Sequence, residues 1–223
     1  MKFESITMEN FMRYKGRNHI EFSCDDVKNV TVVLGDNTVG KTTIAQAFRW
    51  GLYGALMANG TKSAGDFQLL NTDILEMMDA NSRAKVKVEI AAVDEEKRYI
   101  ITRETTYTRA FPKLESREFQ KKCAMRITEL EDMESYVEVD SNEIETLINE
   151  LFPKNLSHYF LFDGERWNDV SVGGVRENIK ESVHILTGLS AYREAKNHLK
   201  DMGSNSVIKK FRSEIKGSGA VYD

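Results

Sequence analysis

The chain has 223 residues, 30% of them charged and 41% hydrophobic, with a formal net charge of −4. These values suit one or two globular domains, and they exclude an argument for nucleic-acid binding from bulk charge, which leaves only a local basic patch. Cys24 and Cys123 are far apart and form no CxxC pair, no apolar run nears the roughly 20 residues of a membrane span, and "MKFESITMEN" lacks a signal peptide's apolar core, so the expectation is a reduced, cytoplasmic protein without membrane contact.

In chain order, "FESITMENF" and "HIEFS" read as β-strands joined by the basic turn "RYKGRN". "NVTVVL", Asn29 to Leu34, is a continuous β-branched run and predicts a strand buried on both faces. Ile44, Ala47, Phe48, Leu52, Ala55 and Leu56 then recur at helical spacing, which predicts an amphipathic helix ending near Gly60. The Met57, Met77 and Met78 cluster reads as core filler. In "AKVKVEIA", Val86, Val88 and Ile90 alternate with Lys85, Lys87 and Glu89, the pattern of a strand with one wet face. "RYIITRETTYTR", "CAMRITEL" and "YVEVD" continue an antiparallel sheet, with "RAFPKLESREFQ" as a loop; Glu129, Glu131, Asp132 and Glu134 suit a solvated face. Ile144, Leu147, Ile148 and Leu151 return to helical spacing, with Asp140 or Ser141 as cap and Pro153 beyond the end. "YFLFD", Tyr159 to Asp163, predicts a buried strand ending in a carboxylate, and Val175, Ile179, Val183 and Leu186 another helix. From Leu189 the chain is polar and helix-prone, broken at "GSNS" and "GSG", so the expected division is 1–188 and 189–223.

"GDNTVGKT", Gly35 to Thr42, matches G-x-x-x-x-G-K-[ST] between a predicted strand and a predicted helix. That context suits phosphate: backbone N–H groups of Gly35, Asp36, Asn37, Thr38, Val39, Gly40 and Lys41 form a nest, and the helix start at Thr42 and Thr43 adds a partial positive charge. Lys41 would reach the β- and γ-phosphates of a nucleotide, and the Thr42 hydroxyl would serve Mg²⁺. A chain this long meets the pattern by accident about once in a hundred, and the flanking elements cut that further. The four histidines, His19, His158, His184 and His198, have no metal-ligand spacing.

Nucleotide hydrolysis needs a further carboxylate, and "YFLFD" offers the best candidate, Asp163. One reading makes Asp163 the Walker B aspartate of a compact P-loop kinase or GTPase. Against it, Gly164 separates Asp163 from Glu165, and the strands between the P-loop helix and Asp163 alternate rather than forming a buried parallel sheet.

"ITMENFMRYKGRNHIEFS" followed by "VTVVLGDNTVGKTTIAQAFRWGLYG" resembles the N-terminal lobe of the ABC-type ATPases that act on DNA: SMC proteins, double-strand-break repair ATPases and RecF. "YFLFDGE" and "VHILTGLSAYREAKNHL" are similar to the DNA sulfur modification family DndD. The resemblance implies an α/β P-loop fold: an ABC-type head half with a mixed core sheet, an antiparallel β-lobe and the start of a coiled coil. It implies Asp163 at the Q-loop position, touching Mg²⁺ or the water beside the γ-phosphate, with Lys41 and Asp163 as the catalytic pair and Thr42 and Asp163 serving the metal. In relatives an arginine follows the Asn-Phe pair near the nucleotide; here Met12 stands there and Arg13 comes next, so Arg13 is a candidate nucleotide contact. Thr38 and Val39 stand where the family carries Gly or Ser. The implied partners are DNA, sulfur-modification proteins that place phosphorothioate in its backbone, the chain's own C-terminal lobe carrying signature and Walker B motifs, and a second head. Arg193, Lys196, Lys200, Lys209, Lys210 and Arg212 would meet DNA phosphates, although a solvated helix explains each as well. The alternatives are another SMC-like coiled-coil ATPase in DNA repair or phage defence, the compact kinase or GTPase, and a non-enzymatic module with a vestigial loop.

Overall fold

The computed structural model describes residues 1–36, 39–56, 68–80, 82–110, 115–154, 157 and 161. The helix predicted around Val175 to Leu186, the basic tail and the remaining residues beyond 161 lie outside that set. The family of structures is α/β P-loop, as the motif and its flanks imply, and a single sheet dominates what is described. Strands β1 (Lys2–Phe11), β2 (Tyr14–Glu21), β3 (Arg83–Asp94), β4 (Lys97–Ala110), β5 (Glu115–Glu129) and β6 (Asp132–Glu138) form a six-stranded sheet in the order β2-β1-β3-β4-β5-β6. Every pair is antiparallel. The N-terminal hairpin and the central strands, read separately in the sequence, are one sheet, because β1 pairs β3 from Lys2↔Val93 to Glu9↔Lys87.

Alternation gives the sheet its two faces. Ile6, Met8, Val86, Val88, Ile90, Ile101 and Met125 are fully buried on one of them. The opposite face carries a cross-strand row, Arg17, Glu9, Lys87, Glu104 and Lys122, one residue from each of β2, β1, β3, β4 and β5, with the charge sign alternating at every step. Opposite charges facing one another across a ladder stabilise the pairing.

Helix α1 (Lys41–Tyr53) packs on β1, β3 and β4. Gly51 permits the close approach: a methyl group there would meet Ile90 Cδ1 at 2.6 Å and Val88 Cγ1 at 3.0 Å. Aromatic rings seat the helix, with Phe48 4.8 Å from Phe3 and 5.6 Å from Phe22, and Trp50 5.6 Å from Phe11. It ends earlier than the apolar spacing predicts. Gly54 takes the left-handed conformation (φ 64°) and its N–H bonds to Trp50 O, so Ala55 and Leu56 lie past the cap. Helix α3 (Ile144–Leu151) packs on α1 and β5, and Asp140 precedes it in an Asx turn, its carboxylate accepting the Asn142 N–H at 2.8 Å.

Several expectations change. The hairpin turn is only Met12–Arg13, and Tyr14 to Asn18 pair within β2. The polar stretch read as a loop is mostly strand, since β4 and β5 pair out to Ala110↔Glu115. A helix not expected from the spacing, α2 (Thr72–Met77), is capped by Asn71, whose side chain accepts from the N–H groups of Asp73 and Ile74. Met77 is exposed while Met78 is buried; Met57 is outside the described residues. Residues 29–34 belong to no ladder among the described residues, and Val30 (76%) and Leu34 (88%) are exposed rather than buried on both faces. Of the predicted strand "YFLFD" only Leu161 is described, buried and donating its N–H to Ser157 O at 2.8 Å; Tyr159, Phe160, Phe162 and Asp163 lie outside the described residues.

Candidate functional site

The phosphate-loop residues meet at the start of α1. Gly40 is the N-cap in a left-handed conformation (φ 113°), a geometry glycine takes without strain. A methyl group there would be in ordinary contact with Tyr14 Cε2 at 3.4 Å and Arg13 Cβ at 3.5 Å, so the turn lies directly against Gly40. Lys41 is the first helical residue, and its Nζ donates to Gly35 O and Asp36 O at 2.5 Å each, so its ammonium lies over the loop. No acidic residue occupies the first turn of α1 and no side chain caps it. The electropositive helix start therefore meets no competing carboxylate from its own helix. Thr42 and Val39 are exposed, and Thr43 is buried. Gly35 is close to Val39, whose Cγ2 would stand 2.8 Å from a methyl group on Gly35. Asn37, Thr38 and Asp163 lie outside the described residues.

The hairpin turn brings Arg13 to this loop, and three segments hold the turn. Tyr14 donates its hydroxyl to Gly40 O at 3.3 Å, and burial pushes that phenol's pKa up, so it stays a neutral donor. Asn10 accepts from the Gly16 N–H through Oδ1 and donates from Nδ2 to Lys85 O, both at 3.0 Å. Asn71 donates from Nδ2 to Met12 O at 2.8 Å, and Met12 N–H bonds to Leu69 O at 2.6 Å. Between turn, α1 and α2 lies a cleft of about 520 Å³, lined by Arg13, Lys15, Thr43, Gln68, Asn71 and Asp73 among others. It falls in the size range of small-molecule sites. Two cations and several uncharged hydrogen-bonding groups face it, with Asp73 paired to Lys15 at 3.5 Å.

Sequence reasoning missed Tyr14, placed by the hairpin itself, and Gln68, Asn71 and Asp73, brought in by pairing between the hairpin and the segment around Leu70. Only Asn71 left a local signal, as an Asn preceding Thr-Asp and an apolar pair at a helix start. It also missed Arg49, a buried guanidinium on α1 (6% exposed) that donates through Nε and Nη2 to Leu161 O at 3.0 and 2.5 Å and through Nη2 to Ser157 O at 3.3 Å. No group of three or more His, Cys, Asp or Glu among the described residues could hold a metal ion.

A glycine-bearing loop that hands its lysine to the first turn of a helix, behind a β-sheet, defines a P-loop nucleoside-triphosphatase fold. The family model described as an AAA domain matches residues 5–216, nearly the whole chain. The chain belongs to that AAA domain family. One solved chain, from work on the structural biochemistry of ATP-driven dimerization and DNA stimulated activation of SMC ATPases, superposes with a TM-score of 0.47 at 15% identity, over 80% of this chain and 96% of that one. No curated protein matches the chain.

Proposed function

We propose that the chain is the P-loop lobe of an SMC-like, ABC-type ATPase that binds ATP with Mg²⁺, dimerises head to head and acts on DNA with partner proteins. The observation that carries this reading is the placement of Lys41, with its ammonium over the loop carbonyls and the Arg13 turn packed against Gly40. Lys41 would exchange those carbonyls for β- and γ-phosphate oxygens, and Arg13 would approach the nucleotide from the hairpin. The donor set fits the metal in part: Thr42 presents an exposed hydroxyl at the second helical position, as a P-loop Ser/Thr ligand does. The bound Mg²⁺ would neutralise phosphate charge, with Asp163 as its second protein contact. The exposed apolar run at 29–34 suits a core strand that pairs with a second lobe. The "FDGE" segment favours, within that class, a DndD-like role in DNA phosphorothioate modification, with sulfur-modification proteins as partners.

Titration calorimetry with ATP and Mg²⁺ tests the site. In Lys41→Ala the lost charge-assisted bonds lower affinity about a hundredfold while the fold survives. Equal affinity in both proteins removes the P-loop from the mechanism. The 223 residues alone should hydrolyse ATP near background, with turnover appearing when the C-terminal lobe is added and falling in Asp163→Asn. If they instead turn over ATP or GTP alone at about 1 s⁻¹, and Asp163→Asn abolishes it, the compact-enzyme reading replaces this one.

A further inference from the structure

Arg49 is a charged side chain placed where α1 would ordinarily carry an apolar one, and its guanidinium is spent on backbone carbonyls far along the chain. Burying a guanidinium is costly unless its N–H groups are satisfied, and here the carbonyls of Ser157 and Leu161 accept from it. Ser157 O also accepts the Leu161 N–H at 2.8 Å, so one carbonyl closes the turn and meets Arg49 as well. The same helix begins with the phosphate lysine. Lys41 and Arg49 are eight positions apart on it, about 12 Å along a rigid rod.

We propose that Arg49 is a positioning residue that couples phosphate occupancy at the start of α1 to the Ser157–Leu161 turn. The proposal deepens the nucleotide-binding reading of the P-loop and rests on it. Lys41 donates to the carbonyls of Gly35 and Asp36. Phosphate oxygens compete for the same ammonium, so the loop and the first turn of α1 settle differently around the occupied nest. The helix carries any such shift to Arg49, because Lys41–Tyr53 is one uninterrupted α-helix. A planar, forked cation holding two carbonyls transmits position as well as charge. The turn it holds leads within two residues of sequence to Asp163.

Amide hydrogen exchange on the full chain, with and without ATP and Mg²⁺, reads the coupling at the Leu161 amide. In the wild type, nucleotide should slow that exchange at least tenfold. In Arg49→Gln, ATP should still bind within about threefold of wild type by calorimetry, but the nucleotide-dependent slowing should disappear. Arg49→Lys, which keeps the charge without the fork, should recover part of it. An arginine that only braces the fold would change protection equally with and without nucleotide. Retention of the slowing in Arg49→Gln overturns the proposal, as does its absence in a wild type that binds ATP. If Arg49→Gln does not fold, the wild-type comparison and Arg49→Lys decide. Failure of the wild type to bind ATP at all is a separate outcome, and it sinks the nucleotide reading itself.

Discussion

Removing Arg103 should weaken the seat of α1 far more than removing its ionic partner. The last four carbonyls of a helix lack intrahelical partners. In α1, Trp50 O is taken by the Gly54 N–H, while Gly51 O and Leu52 O accept from Arg103 Nε and Nη2, both at 3.1 Å. The last turn carries no basic residue of its own, so β4 supplies the cation. Arg103 is 13% exposed, whereas Glu145, its partner at 2.9 Å on α3, is 61% exposed. Each charged hydrogen bond to a carbonyl is worth about 1.5–3 kcal/mol, and ordering the arginine side chain costs about 2 kcal/mol. Arg103→Met, which keeps the aliphatic stem, should therefore lose about 1–4 kcal/mol. Glu145→Gln should lose less than about 1 kcal/mol, as a solvent-screened pair does. Urea unfolding followed by tryptophan fluorescence, with Trp50 buried on the same helix, measures both. An Arg103→Met protein within about 0.5 kcal/mol of wild type would refute the capping argument.

Gly51→Ala forces a methyl group into Ile90 and Val88; overpacking of about 1–3 kcal/mol exceeds the roughly 1 kcal/mol gained in helix propensity, so the net should be destabilising. Combining it with Ile90→Val should cost less than the two changes summed, and strict additivity in a denaturant-based double-mutant cycle would reject the contact. Burial works to raise the Glu89 carboxyl, but hydrogen bonds from Lys87 and Thr102 and the charges of Lys87 and Arg17 outweigh it and hold the group below its ordinary 4.5. A depressed carboxyl contributes stability that is present above the ordinary value and is lost as pH falls through the depressed one. Glu89→Gln should accordingly flatten the acid limb of a melting-temperature profile below about pH 4.5, and an unchanged limb would dismiss Glu89 as a contributor.

Local chemistry was legible in the chain and distant pairing was not. The phosphate loop is a contiguous motif, and its residues meet because the helix starts at Lys41. Val86, Val88 and Ile90 announced their strand because one face of β3 is wet and the other buried. The outer half of the β4–β5 hairpin was hidden, since Glu115 to Gln120 are almost all exposed and offer no period to read; their pairing comes from the partner strand. Helix α2 was too short for a periodic signal and shows only through its Asn71 cap. Arg49 and Arg103 left no local signal, because the carbonyls that draw them inward lie 51 to 112 positions away. The run 29–34 misled in the other direction: its composition marks it for burial, and the described residues supply nothing to cover it.

The row Arg17, Glu9, Lys87, Glu104 and Lys122 makes the outer sheet face electrostatically short-sighted. Charges of alternating sign one strand apart repeat every two strands, or about 9.6 Å. The potential of such a grating falls off over its period divided by 2π, so its reach is about 1.5 Å, well inside the roughly 8 Å over which salt screens an isolated charge. A polyanion drifting past would register only the row's single net positive charge, three cations against two carboxylates, and none of the members individually until it touched. Changing the sign of the middle member, Lys87, would break the grating. Three negative charges in sequence, at Glu9, position 87 and Glu104, would project a field as far as the solvent allows.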